Sequence, residues 1–234
     1  MKKLFAALSI TVFMFIIGSC GDKDDELSPS PQFVDLGLSV KWATFNVGAS
    51  QPQESGDYYA WGEISTKDRY YWSTYQYNIG EYDEEQLSSL TKYCPKSKFG
   101  YDDFTDTLSI LELSDDIARL KWGGNWRIPT VQEFIELIDS CEWNWTTLNG
   151  VKGFKVTSNV VGYTDKSIFL PAAGYISGSK KFNDNPTINY WSGSLFNRKP
   201  YYSHCLSYHY ENDETVYIGS SGRYLGRPIR PVWQ

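Results

Sequence analysis

Few residues of this chain are placed to do chemistry. It has four cysteines, Cys20, Cys94, Cys141 and Cys205, and two histidines, His204 and His209. An active dithiol needs a thiolate stabilised by positive charge. Here no two cysteines form a C-x-x-C or other close pair, and Glu142 beside Cys141 has the wrong sign. Two histidines exclude a multi-histidine metal centre. Neither has an acid–base partner motif beside it, and there is no G-x-S-x-G elbow to expose a serine nucleophile. The adjacent acids Glu84/Glu85 and Asp115/Asp116 read as solvent-facing carboxylates and helix starts. Asn183-Asp184-Asn185-Pro186 offers oxygens but reads as a polar turn, because a hard cation such as calcium takes about six to eight of them. No catalytic residue, obligatory metal or cofactor is expected.

One segment reads as a binding surface. From Lys180 to Tyr224 the chain is crowded with Asn, Tyr, Ser, His and Arg. These types suit recognition: rigid amphipathic rings supply contact area and short polar groups adapt their hydrogen bonds. Residues Tyr201 to Tyr210 read as a strand, whose side chains alternate between faces. Leu206 and Tyr208 are taken to point inward, which turns Tyr201, Ser203, Cys205, Ser207 and His209 outward. The candidate ligand contacts are stacking by Tyr190, Phe196 or Tyr201, with hydrogen bonds from Asn197, Arg198, Ser203, His209 or Arg223.

The elements that must position these residues are mostly strands. Val40–Phe45, Asp57–Trp61, Ser167–Leu170, Asn189–Ser192 and Arg227–Val232 are aromatic or β-branched runs. Asn149-Gly150 between Trp143–Leu148 and Val151–Ser158 is a strong hairpin signal. Two helices are expected. Ser114 caps an acidic first turn, and Gly123-Gly124 stops the helix after Trp122. Thr130 and Glu133 form a capping box ahead of Phe134, Leu137 and Ile138, predicting a helix from Val131 to Ser140.

Composition sets the class. The chain has 234 residues, 17% of them aromatic, enough for a sizeable core. Its net charge of -6 argues against sequence-independent nucleic-acid binding, which needs a basic face. Lys2 and Lys3 precede an apolar run from Leu4 to Ile17, as in a signal peptide. Residues 20–32 read as an acidic, Pro-containing tether, which Pro29 and Pro31 keep extended. The rest, 33–234, reads as one domain.

Several stretches carry a resemblance. Ile17-Gly18-Ser19-Cys20 resembles the lipobox of bacterial lipoproteins, which implies cleavage after residue 19 and lipidation of Cys20. Lys23-Asp24-Asp25 resembles the export signal of Bacteroidota surface lipoproteins. Asp35-Leu36-Gly37-Leu38-Ser39-Val40-Lys41-Trp42-Ala43, Gly56–Glu63, Trp122-Gly123-Gly124-Asn125-Trp126-Arg127-Ile128-Pro129-Thr130, Leu170-Pro171-Ala172-Ala173-Gly174-Tyr175, Tyr190-Trp191-Ser192 and Arg227–Val232 together resemble the Fibrobacter succinogenes major paralogous domain family. That family belongs to the C-type-lectin-like superfamily. The resemblance implies an α+β fold with two main helices, many short antiparallel strands and long irregular loops. Trp143-Asn144-Trp145 has Trp where calcium-binding lectins of the superfamily carry an acid. Cys94 and Cys141 follow family-like stretches, and the resemblance pairs them as a disulfide, with Cys205 left over.

The expectation is a surface-exposed outer-membrane lipoprotein, held to the lipid through Cys20. It would bind an extracellular glycan or protein without catalysis. The alternative is a structural or assembly component of a cell-surface complex, with an enzyme of unknown type third.

Overall fold

The computed structural model describes residues 30–79, 89–183, 186–209 and 215–234. The leader, Cys20 and most of the tether lie outside the described residues. So do Glu84/Glu85, Asp184 and Asn185 of the polar turn, and Tyr210.

The fold is mostly β, which corrects the α+β expectation. Twelve strands among the described residues form four antiparallel sheets, and helices make up only 15%. Strands β1 (Phe33–Val34) and β2 (Lys41–Ala43) open the chain, followed by helix α1 (Ile117–Trp122), β3 (Trp126–Arg127) and helix α2 (Val131–Ser140). Next come β4 (Cys141–Leu148), β5 (Val151–Ser158), β6 (Ser167–Pro171), β7 (Tyr175–Ser177) and β8 (Lys180–Phe182). The last are β9 (Thr187–Leu195), β10 (Tyr202–His209), β11 (Tyr217–Gly222) and β12 (Val232–Trp233). The sheets run β1-β2-β12-β3, β4-β5-β6, β7-β8 and β11-β10-β9. The two expected helices form, but they are 6 and 10 residues long and do not make a layer of their own. Strong local helix signals identify segments; they do not measure how much of the architecture those segments build.

Where the signals are local, the elements follow them closely. In α2 the Thr130 hydroxyl accepts from the Glu133 N–H, and the Glu133 carboxylate accepts from the Thr130 N–H. Two otherwise orphaned donors are thus satisfied. Asn149 and Gly150 both take positive φ, 48° and 82°, and join β4 to β5 as a tight hairpin. The cap of α1 lies two residues later than expected. Asp116 accepts from the Arg119 N–H, while Ser114 and Asp115 belong to a preceding 3-10 turn.

The β9–β11 sheet lies between two apolar clusters, and this positions everything that follows. Ile188, Tyr190, Leu206 and Tyr208 face one cluster, with Phe134 and Leu137 of α2 and Phe154, Val156 and Leu170 of the β4–β6 sheet. Trp191, Leu195 and Cys205 face the other, built by long loops that carry Tyr59, Trp61, Tyr70, Trp72, Tyr75, Tyr77 and Tyr93. A strand buried on both faces has no outward phase. The assignment of Ser203, Cys205 and Ser207 to solvent is therefore corrected: all three are buried.

The disulfide expectation is corrected as well. Cys94, Cys141 and Cys205 are all free and buried. Cys94 belongs to the loop-side cluster and Cys141 to the α2-side cluster, so the sheet's two cores separate them. Burial raises both thiols, that of Cys141 to about 11 with Glu136 adding to the effect.

Candidate functional site

Most residues proposed as ligand contacts do structural work. Tyr190 is fully buried; its hydroxyl donates to the Pro171 carbonyl at 2.9 Å and accepts from Asn46 Nδ2 at 3.2 Å. It cannot stack on a ligand. Ser203 is also buried and donates to the Ser194 carbonyl at 2.7 Å. Tyr201 packs against the loop-side cluster, edge-on to Phe99 and Tyr202. Phe196 is half-buried and stands edge-on to His204. Asn197 and Arg198 are exposed in the turn after β9. These six side chains and Arg223 are not among the residues that line the cavity with His209.

Three C-terminal arginines are buried, and their contrast locates the site. Arg223 is fully buried. Its Nε donates to the Tyr75 hydroxyl at 2.8 Å, Nη1 to the Pro200 and Tyr93 carbonyls at 2.8 and 3.3 Å, and Nη2 to the Lys92 carbonyl at 3.0 Å. The guanidinium lies 4.9 Å from the Trp61 ring and 5.2 Å from Tyr75. Every nitrogen has a partner, so Arg223 binds the loops together. Arg230 does the same for the other core. It donates to Asn46 Oδ1 and to the carbonyls of Ala43, Thr44 and Phe169. Burial lowers its pKa to about 10.

Arg227 differs. It is only 5% exposed, yet its Nε and Nη1 have no hydrogen-bond partner within the protein. Its backbone is pinned to Tyr59 by reciprocal N–H to carbonyl bonds of 3.0 Å. The guanidinium stacks 4.7 Å over the Trp191 ring and 5.8 Å from Tyr175. The Trp191 indole N–H donates to the Tyr59 carbonyl at 2.9 Å, so the ring beneath the cation is itself fixed. Asn189 repeats the anomaly: it is 1% exposed and its Nδ2 lacks a partner. Buried polar groups are normally paired, so two such residues side by side call for an explanation.

Both line one cavity of about 330 Å³. Its walls follow from strand register. Ser207 of β10 pairs with Asn189 on β9 and Tyr217 on β11. Cys205 pairs with Trp191 and Gly219 in the next row, and His209 with Thr187 beyond. All these residues share the loop-side phase of the sheet. Ser221 shares that phase and adds a hydroxyl group from β11. Gly219 keeps the space open: a β-carbon there would lie 2.9 Å from Ser207 Oγ. Cys205 Sγ and Ser207 Oγ share a hydrogen bond of 3.3 Å, so each is partnered by the other rather than by a base. Burial lowers the His209 pKa, and the nearby Arg227 charge adds to the effect. His209 is therefore neutral near pH 7, and Arg227 is the cavity's cation.

Two larger grooves lack this character. One of about 400 Å³ beneath the β4–β6 sheet is walled by Val34, Leu148, Ile168 and Phe169. Another of about 480 Å³ lies beside Phe45 and Trp122; its charged groups are engaged, Glu54 by Ser50 and Gln51, Lys121 by Asp57. None of the buried polar atoms without a partner belongs to a residue lining either groove. Among the described residues no three His, Cys, Asp or Glu side chains cluster to hold a metal, and no helix is long and apolar enough to cross a membrane.

Sequence reasoning reached this region through His209, Cys205 and Ser207 but missed Asn189 and Arg227. Polar residues in one phase of β10, with an asparagine and glycine in matching phase on the next runs, were the available signal for the cavity. No family model matches the chain, and neither a curated protein nor a solved structure does.

Proposed function

We propose that this protein is a non-catalytic binding protein whose ligand enters the cavity between β9, β10, β11 and Arg227. One observation carries the reading: Arg227 and Asn189 are buried at the cavity with donors that the protein itself does not satisfy. Leaving a buried donor unpaired costs about 1–3 kcal/mol. A fold that satisfies every guanidinium nitrogen of Arg223 and Arg230, yet leaves Arg227 open, keeps a cost that an external acceptor would relieve. The mutual pairing of Cys205 and Ser207 supports binding over nucleophilic catalysis.

The ligand is an extracellular glycan or protein. The lipobox-like Ile17-Gly18-Ser19-Cys20 and the acidic tether support display on the outer membrane, anchored in its lipid through Cys20. The resemblance to the Fibrobacter paralogous domain family supports the same placement. The net charge of -6 speaks against nucleic acid as the partner.

The test is binding of the full chain, in detergent, to a glycan array and to extracted surface proteins. Wild type, Asn189→Ala and His209→Ala are compared. Selective binding that weakens in both variants is expected. Binding that neither variant changes would move the site elsewhere. Recovery of this chain only in a fixed-stoichiometry complex, with no soluble ligand, would favour an assembly component instead.

A further inference from the structure

Resting on that reading of the cavity, we propose that its ligand is an acidic saccharide whose carboxylate is recognised by Arg227. The charge decides the acid. No salt bridge among the described residues involves Arg227, although Lys67, Lys92, Lys121 and Arg127 each have a carboxylate within reach. A desolvated cation without a counter-ion is costly, and a guanidinium is matched best by a planar carboxylate that accepts several N–H bonds. Nε and Nη1 together hold up to three such donors. The guanidinium is held 4.7 Å over the Trp191 ring, which keeps these donors at the cavity wall.

The remaining walls favour a sugar as the carrier. Ser207 and Ser221 offer hydroxyls, Asn189 offers an amide donor, and neutral His209 offers a ring nitrogen. These groups both give and take hydrogen bonds, as ring hydroxyls require. Tyr217 lines the cavity, its ring 6.4 Å from that of His209. An apolar peptide side chain would find mainly Leu225 as an aliphatic contact. At about 330 Å³ the cavity is at the small end of ligand pockets, suited to one sugar residue of a chain. The protein's net negative charge does not oppose this, because at physiological salt charges are screened beyond about 8 Å while a buried contact is not.

Calorimetric titration of the full chain in detergent micelles tests the inference. The probes are a galacturonate trisaccharide, its methyl ester, the neutral galactose trisaccharide and a tripeptide with a free C-terminus. The acid is expected to bind about 10- to 100-fold more tightly than the ester or neutral sugar, the range of a charge-assisted hydrogen bond. Arg227→Met is expected to abolish the acid's preference, so that acid and ester bind the variant equally. Should that variant fail to fold, the acid-against-ester ratio on wild type carries the test alone. Equal binding of acid and ester, lost in Asn189→Ala, would overturn the carboxylate inference and leave the binding site standing. Binding of the tripeptide without the uronate would overturn the saccharide. No binding of any probe or array ligand would overturn both.

Discussion

Replacing Arg227 by methionine should leave the fold at least as stable as wild type, and the same change at Arg223 should not. The two side chains are four positions apart and almost equally buried. Arg227→Met removes two nitrogens that lack partners, each a liability of about 1–3 kcal/mol. It also forfeits the stacked cation over Trp191, worth about 2 kcal/mol in a desolvated setting. Methionine recovers part of that through sulfur–aromatic contact, about 0.3–1.5 kcal/mol. The liabilities removed, about 2–6 kcal/mol, outweigh the net loss of about 0.5–1.7 kcal/mol, so Arg227→Met is expected to unfold at or above the wild-type Tm. Arg223→Met instead strands four acceptors: the Tyr75 hydroxyl and the carbonyls of Tyr93, Pro200 and Lys92. At about 1 kcal/mol or more each, the loss is at least about 4 kcal/mol. Thermal and urea unfolding followed by circular dichroism measures both. If Arg227→Met falls as far as Arg223→Met, Arg227 is holding the fold through contacts that its unpaired nitrogens do not reveal, and the reasoning that makes it a binding residue fails.

The remaining predictions concern the cavity's shape, the thiols and one helix cap. Gly219→Val should weaken ligand binding more than it lowers Tm, since its side chain enters the cavity at Ser207; an equal effect on both would mean that the space is only packing. Alkylation of denatured, unreduced protein should modify Cys94, Cys141 and Cys205, while folded protein reacts slowly; a mass showing a cystine between any two would refute the free-thiol assignment. Glu133→Gln should cost about 2 kcal/mol at neutral pH, because Arg127 loses its charged partner. Burial pushes the Glu133 carboxyl up, but bonds from Arg127 and Thr130 outweigh it and hold the folded pKa below the ordinary value of 4.5. That stabilisation is present above pH 4.5 and is lost as pH falls through the folded pKa. Wild type should therefore lose its advantage over the variant only in acid; a stability gap that does not narrow there would refute the pair's role.

What the sequence made legible was local. The Thr130–Glu133 box and the Asn149-Gly150 turn are written in adjacent residues, and α2 and the β4–β5 hairpin form where those residues indicate. The β10 alternation was equally clear, but alternation separates two faces without saying what covers either. Leu206 and Tyr208 do face a core; Cys205 and Ser207 face another, roofed by loops more than a hundred positions earlier in the chain. That roof is a long-range event, and it converts an apparent surface into a lined cavity. The same roof explains why composition misassigned Ser203 and Arg223, while Tyr190 is covered by the α2-side core. Aromatic and hydrogen-bonding side chains suit a ligand face, but they also suit an interior built from loops, whose many carbonyls need donors. Arg223 and Arg230 answer that need completely. Arg227 shares their type, their burial and their neighbourhood, so no residue count or spacing distinguishes it. Only the inventory of which donors find acceptors does. A buried group left open where its neighbours are all closed is where a fold gives up stability, and such concessions gather at sites that meet something from outside.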